Sequence, residues 1–288
     1  MSLWFLSKFM QSSEFLNFFF FFYLVFTMIG IVFDMDGVIY RGNQPVEGVK
    51  DVIKFLRANK IPFVFLTNNS TRDAKMYKEK LQGMGIEVEE ERIITSGYAT
   101  AQYLNRHFEK GLVFVIGGRG LVEEIKVIGW PVISLEEAKE KWREIRYVVV
   151  GMDPQLTYEK LKYGCLAIRN GARFIGTNPD TTYPGEEGIL PGAGSIIAAL
   201  KVATEKEPLI IGKPNEPVFE VVREKLNADK IWVVGDRLDT DMAFAKKIGA
   251  KAIMVLTGVN TLEDIEKSEV NPDIVLPSIK ELLEYIKV

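Results

Sequence analysis

The sequence predicts an α/β fold: a parallel sheet with helices packed on its faces, and a second α/β domain inserted into it. Three observations carry this. From Met28 onward, short runs of Ile, Val and Phe alternate with amphipathic stretches, the pattern of strand and crossover-helix units. The runs are nearly continuous in apolar residues rather than alternating, as strands buried on both faces should be. The stretch between Asn69 and Lys213 is too long for a single crossover and has strand and helix patterns of its own, so it is read as containing an inserted domain.

Taken in order, Ile29-Gly30-Ile31-Val32-Phe33 is the first strand expected, followed by a helix over 48–59, a strand over 61–66 and a helix over 74–84. Further strands are expected at 92–95, 112–116, 147–150, 173–175, 208–211, 230–234, 251–255 and 273–276, with a helix at 98–107. The insertion is placed at 105–207, because that helix ends there and Glu205-Lys206-Glu207-Pro208 reads as the return. The core is then 28–104 together with 208–288. Residues 15–26 are almost wholly aromatic and aliphatic, which superficially suggests a signal peptide or anchor. The tract is too short to span a bilayer comfortably, and neither a small-residue cleavage site nor a hydrophilic linker follows it. Met28 is therefore expected to be the biological start, with residues 1–27 an upstream extension and no membrane attachment.

The 288-residue chain has a formal net charge of −3, and no block of Lys or Arg marks a nucleic-acid binder, so small molecules are the expected partners. Cys165 is the only cysteine and His107 the only histidine. Within one chain this excludes a disulfide framework, a Cys-rich zinc site, a two-histidine metal site and a dithiol redox pair. His107 sits in a charged helix end and is read as solvated, and Cys165 as a small core residue. Catalysis is left to carboxylates, Lys, Thr or Ser, and metal; the composition reads as cytoplasmic.

Four apolar runs end in polar clusters: Asp34-Met35-Asp36-Gly37, Thr67-Asn68-Asn69-Ser70, Lys213-Pro214, and Asp236-Arg237-Leu238-Asp239-Thr240-Asp241. In an open parallel sheet the ligand crevice lies beyond the carboxyl ends of the strands, so these clusters meet if the four strands are neighbours. Each has a plainer reading. Asp-x-Asp-Gly and Thr-Asn-Asn-Ser are turn or cap sequences, Lys213 fits a solvated loop, and Asp239 or Asp241 fits a helix cap near 239. Together they describe one site. Asp34, Asp36, Asp236 and Asp241 would repel one another without a cation, and hard oxygen ligands without nitrogen or sulfur point to Mg²⁺. With Lys213, Thr67 and Asn68 added, the site suits a phosphoryl group.

In this order the clusters resemble the four motifs of the haloacid dehalogenase superfamily of phosphatases. The segments Phe33-Asp34-Met35-Asp36-Gly37-Val38-Ile39-Tyr40 and Leu66-Thr67-Asn68-Asn69-Ser70 resemble its NagD-like, p-nitrophenyl phosphatase branch. The resemblance implies a Rossmann-like core with a C2-type α/β cap. It also implies an aspartyl-phosphate mechanism in which Asp34 is the nucleophile, Asp36 the acid and base, and Lys213 the charge-offsetting residue. Thr67 and Asn68 would bind phosphate. Mg²⁺ would be held by Asp34, the Asp36 backbone carbonyl and Asp236, with Asp241 in or just behind that shell. The polar loop Gly176 to Pro184 corresponds to the family's substrate-specificity loop, which makes Thr177, Asn178 and Asp180 candidates. The expected substrate is a small phosphate ester: p-nitrophenyl phosphate artificially, and a nucleotide, sugar phosphate or phosphoglycolate physiologically. Caps of this branch often take part in dimer contacts, so the resemblance admits a homodimer as well as a monomer.

Other readings are a phosphotransferase or specific nucleotidase on the same core, and a non-hydrolytic phosphoacceptor module, which would need neither Asp36 nor a large cap. A dinucleotide site at Gly117-Gly118-Arg119-Gly120 is weak, since the full spaced glycine fingerprint is missing.

Overall fold

The computed structural model describes residues 28–185 and 187–286. The expected extension over 1–27 lies outside the described residues. Strands are numbered along the chain. β1 (Ile29–Phe33) precedes a small hairpin of β2 (Tyr40–Arg41) and β3 (Gln44–Pro45), then β4 (Phe63–Thr67) and β5 (Ile93–Thr95). The insertion carries β6 (Val113–Ile116), β7 (Val132–Ile133), β8 (Tyr147–Val150), β9 (Arg173–Gly176), a hairpin of β10 (Thr182–Gly185) and β11 (Gly188–Pro191), and β12 (Leu209–Ile210). β13 (Lys230–Gly235), β14 (Lys251–Val255) and β15 (Ile274–Leu276) complete the set.

The core is a six-stranded parallel sheet in the order β15-β14-β13-β1-β4-β5. Its continuous apolar strands serve both faces, because successive side chains alternate. Ile31 and Phe33 pack with Phe63 and Phe65 under the helices Val49–Ala58 and Ala74–Gly83. Val32 and Val64 face the opposite layer, where the helices Ser96–His107 and Pro217–Leu226 bury Ala99, Leu104, Val218 and Val222. The helix expected at 98–107 begins at Ser96, because the Thr95 side chain accepts from Tyr98 N at 2.9 Å and caps it.

The inserted cap is a five-stranded parallel sheet ordered β12-β9-β8-β6-β7. Its helix Arg119–Val127 buries Leu121 and Ile125 in the layer shared with the core helix Ser96–His107. The helices Leu135–Lys141, Tyr158–Arg169 and Ala193–Thr204 cover the other face.

One expectation is corrected here. The run at 208–211 is not a core strand: Leu209 and Ile210 pair with Ile175 and Gly176, so β12 is the edge of the cap sheet. The chain returns to the core past Ile210 rather than at Pro208. A short apolar run fits the edge of either sheet, and only long-range pairing selects between them. The strand pattern also passed over β2, β3, β7, β10 and β11, all of four residues or fewer.

Candidate active site

Adjacency in the core sheet delivers three of the four clusters, since β4, β1 and β13 are neighbours and parallel. Lys213 arrives from the cap sheet instead, one short turn beyond β12. Its ammonium group is buried and donates to Asp34 Oδ1 at 2.5 Å, Asp241 Oδ1 at 2.6 Å and the Leu66 carbonyl at 3.0 Å. A charged side chain from the return of the insertion thus ties β1, β4 and the segment after β13 together. Burial disfavours the Lys213 ammonium, but Asp241 and then Asp34 outweigh it and its pKa is raised.

Carboxylate oxygens of Asp34, Asp236 and Asp241 lie within 4.8 Å of one another. Against three acids Lys213 supplies one positive charge, so an uncompensated negative charge remains. The Asp34 carboxyl is held well above the ordinary carboxylate range, first by burial and then, after the opposing pull of Lys213, by Asp241 and Asp236. Asp236 is pushed up to about 7 by burial and by Asp241.

The donor chemistry fits a hard divalent cation. Asp241 is fully committed, with Oδ1 on Lys213 and Oδ2 accepting from the backbone of Asp236 and Arg237, each at 3.2 Å. Asp236 Oδ2 accepts from Val259 N at 2.7 Å, but Asp236 Oδ1 is buried with no protein partner. A buried carboxylate oxygen without a donor is costly unless a ligand completes it. Two glycines make the room that this carboxylate occupies: a Cβ on Gly37, whose φ is +82°, would stand 2.6 Å from Asp236 Oδ2, and one on Gly258 would overlap the same oxygen. Asp239 and Asp241 do not cap a helix, as the sequence had suggested. Asp239 instead pairs with Arg237 at 2.9 Å, and a wide turn over Leu238–Met242 leads into the helix Ala243–Lys247.

Asp36 stands apart from that triad. Its Oδ2 accepts from the Tyr40 hydroxyl at 3.0 Å, and its carboxyl is reached by solvent. The surrounding walls still strip enough water to raise its pKa, against the opposing charges of Lys80 and Arg72. Lys80 lies over the Tyr40 ring, 3.6 Å from its centroid. Tyr40, Arg72 and Lys80 were not singled out from sequence. They lie in the short strand β2, on a loop and on a helix face, where such residues are ordinary.

Thr67 is buried at the end of β4, its Oγ1 accepting from Asn69 N at 3.1 Å. Asn68 Nδ2 donates to the Lys213 carbonyl at 2.9 Å and to Asp180 Oδ2 at 3.1 Å. The cap loop after β9 therefore meets the core cluster. Asn178 Nδ2 also donates to Asp180 Oδ2, at 3.0 Å, and Thr177 donates to Asn178 Oδ1 at 2.7 Å. Thr177 is fully buried and Asn178 nearly so, which makes them braces for Asp180. Burial raises the Asp180 carboxyl, with Arg237 opposing. The glycines at 118 and 120 serve the junction between cap and core. A Cβ on Gly118 would stand 3.0 Å from Thr71 Cα, and one on Gly120 would stand 2.5 Å from the Arg72 carbonyl carbon. Gly120 N donates to the Thr71 carbonyl at 3.1 Å. This close approach, rather than a dinucleotide, accounts for those glycines.

Two family models match the chain: that of the haloacid dehalogenase-like hydrolases over residues 31–131, and a HAD-hydrolase-like model over 210–282. An acid sugar phosphatase of Staphylococcus aureus is 40% identical over 255 residues, 88% of this chain and 95% of that protein. Among solved structures, a hypothetical protein of Pyrococcus horikoshii superposes with a TM-score of 0.88 at 64% identity, covering 90% of this chain and all of that one. The 4-nitrophenylphosphatase of Thermotoga maritima gives a TM-score of 0.83 at 37% identity, covering 89% of this chain and 97% of that one. These matches run through both the core and the cap. The chain belongs to the haloacid dehalogenase-like hydrolase family, in its NagD-like, p-nitrophenyl phosphatase branch.

Proposed function

We propose that this phosphatase is a Mg²⁺-dependent phosphomonoester hydrolase that works through an aspartyl-phosphate on Asp34. The observation that carries the reading is the orphaned Asp236 Oδ1 beside Asp34 and Asp241, with Lys213 bonded to both of the latter. Asp34, Asp236 and the Asp36 backbone carbonyl would hold the cation, with Asp241 behind them fixing Lys213. When bound, Mg²⁺ neutralises the clustered carboxylates and draws charge from the phosphoryl oxygens.

Asp34 attacks phosphorus and the ester P–O bond breaks. Asp36, with its raised pKa, gives its proton to the departing oxygen, and its conjugate base then takes a proton from water. The hydroxide so formed attacks the same phosphorus, releasing Asp34 and inorganic phosphate. Asp36 is returned to its protonated form for the next cycle. Tyr40 orients Asp36 through its hydroxyl. Lys213 counters the charge that builds on the phosphoryl group, and Thr67 and Asn68 take phosphate oxygens.

The substrate is a small phosphomonoester of the sugar phosphate kind. That assignment rests on the acid sugar phosphatase and 4-nitrophenylphosphatase relatives and on Asp180, an acceptor poised over the site and suited to leaving groups that carry hydroxyls. Purified protein should hydrolyse p-nitrophenyl phosphate with Mg²⁺, lose that activity in chelator, and be silenced by Asp34→Asn without unfolding. Near wild-type turnover by Asp34→Asn would overturn the mechanism. A panel of sugar phosphates, nucleotides and phosphoglycolate, run against wild type and Asp180→Asn, tests the substrate class.

A further inference from the structure

The carboxyl ends of the cap strands form a row facing the core. The end of β9 leads to Thr177 and Asn178 beside Asn68, and the end of β8 leads to Gly151 against the Ser70 hydroxyl. The end of β6 leads to Gly118 and Gly120 on Thr71 and Arg72. One step further along the row, β7 ends at Ile133, opposite Phe114, while β6 runs on to Ile116, which leaves a crevice beyond the end of β7. β6 is followed by a helix on the core-facing side, whereas its neighbours β7 and β8 are followed by helices on the opposite side. Adjacent strands whose crossovers leave in opposite directions create the crevice at which open α/β sheets take ligands.

The crevice is a groove open to solvent, with a volume of about 490 Å³, within the roughly 300–1,000 Å³ of small-molecule sites. Its floor is apolar, made by Phe114, Val122 and Val132, and its rim carries Arg119, Gln155 and Lys160. The Lys160 ammonium is positioned by a buried acid: Asp153, whose side chain is 2% exposed, accepts from Lys160 Nζ at 2.7 Å and from Gln155 N at 2.9 Å. Arg119 is exposed, and no acid among the described residues pairs with it. Glu137 also lines the crevice, its Oε2 accepting from Ser134 N and Ser134 Oγ at 2.9 Å each, so the cations of the rim act against one acid there.

We propose that this crevice is a second ligand site, for a small organic anion with an apolar body, separate from the carboxylate cluster. The body would lie on Phe114, Val122 and Val132, and the anionic group would be met by Arg119 and the remaining Lys160 N–H donors. The segment 117–120, which leads into the helix Arg119–Val127, forms one wall of the crevice and rests on Arg72, whose charge acts on Asp36, so an occupant would sit one segment away from the reacting groups.

The test uses anilinonaphthalene sulfonate, an aromatic anion that is not a phosphate ester, with the intact chain. Fluorescence titration should show one saturable site per chain, with a dissociation constant on the order of 10–100 μM. Arg119→Glu and Gln155→Glu, both at exposed positions, should each weaken it about tenfold or more while thermal unfolding stays unchanged. Mg²⁺ with excess inorganic phosphate, which addresses the catalytic cluster, should not displace the probe. Non-saturating binding, or equal affinity in wild type and both variants, would overturn the proposal. Displacement by phosphate would also overturn it and make the crevice the outer end of the catalytic site. The binding readout does not depend on turnover, so the proposed hydrolytic mechanism and this site can fail separately.

Discussion

Replacing Lys213 by Met keeps the length and apolar stem of the side chain while removing the ammonium that serves Asp34 Oδ1, Asp241 Oδ1 and the Leu66 carbonyl. The residue is 2% exposed, so solvent cannot replace those donors. Removing one partner of a buried ion pair costs roughly 3–5 kcal/mol, because the remaining charge is left without compensation. The carboxylates can escape part of that cost by taking up protons, at about 1.4 kcal/mol per pKa unit. Asp34 already has a raised pKa, and Lys213 is the strongest influence holding it down, so its pKa should climb further in the variant. A carboxyl whose folded pKa exceeds its unfolded value weakens the fold as pH rises between the two values. The loss should therefore be near its full ~3–5 kcal/mol at pH 8 and distinctly smaller at pH 5. Urea unfolding of chelator-treated Lys213→Met and wild type at both pH values measures this. A loss below about 1 kcal/mol at pH 8, or one no smaller at pH 5, would refute the account of Lys213 as counter-charge to a buried acid cluster. Turnover of p-nitrophenyl phosphate should fall by roughly two to three orders of magnitude, as for other preorganised donors to a transition-state charge.

Gly258→Ala would drive a methyl into the buried Asp236 carboxylate, so the metal-free protein should lose about 1–3 kcal/mol, as overpacking does, and the further thermal stabilisation given by Mg²⁺ should disappear; full retention of the Mg²⁺ shift would count against Asp236 as a ligand. Gly120→Ala places a Cβ 2.5 Å from backbone at Arg72 and should destabilise by about 1–3 kcal/mol in urea, as overpacking does; a neutral result would mean the junction yields freely. Glu124, on the cap helix, accepts a hydrogen bond from the Ala74 backbone and is pushed up to about 7 by burial, helped by Asp73 and Glu90, with Lys225 opposing. Ionised Glu124 thus works against folding as pH rises toward and past 7, and Glu124→Gln, discounted for partial exposure, should be more stable than wild type by about 1 kcal/mol at pH 8 and equal to it near pH 5; equal stability at pH 8 would contradict the raised pKa.

Much of the site was legible in the order of residues. Asp34, Thr67 and Asp236 each end an apolar run, and parallel strands present such ends on one side of a sheet, so their approach follows from pattern alone. Lys213 does meet the carboxylates of Asp34 and Asp241, but by a different route from the one expected, since the strand before it pairs with β9 in the cap. Arg72 and Lys80 around Asp36 were not legible, because loop and helix-face residues of those types carry no local signal, and Tyr40 stood in the segment 33–40 with no role of its own until its hydroxyl was seen on Asp36.

The sequence by itself determined the strand and helix alternation, the acid-rich ends of the strands and the absence of nitrogen and sulfur ligand sets, because burial on both faces and side-chain chemistry are local properties. Only the tertiary structure decided which sheet took the run before Lys213, which Asp236 oxygen was left without a partner, and how Asn68 reaches Asp180 across the junction. Those outcomes depend on pairings between residues more than twenty positions apart in the chain. Short edge strands and single polar contacts have too little intrinsic preference to announce such pairings.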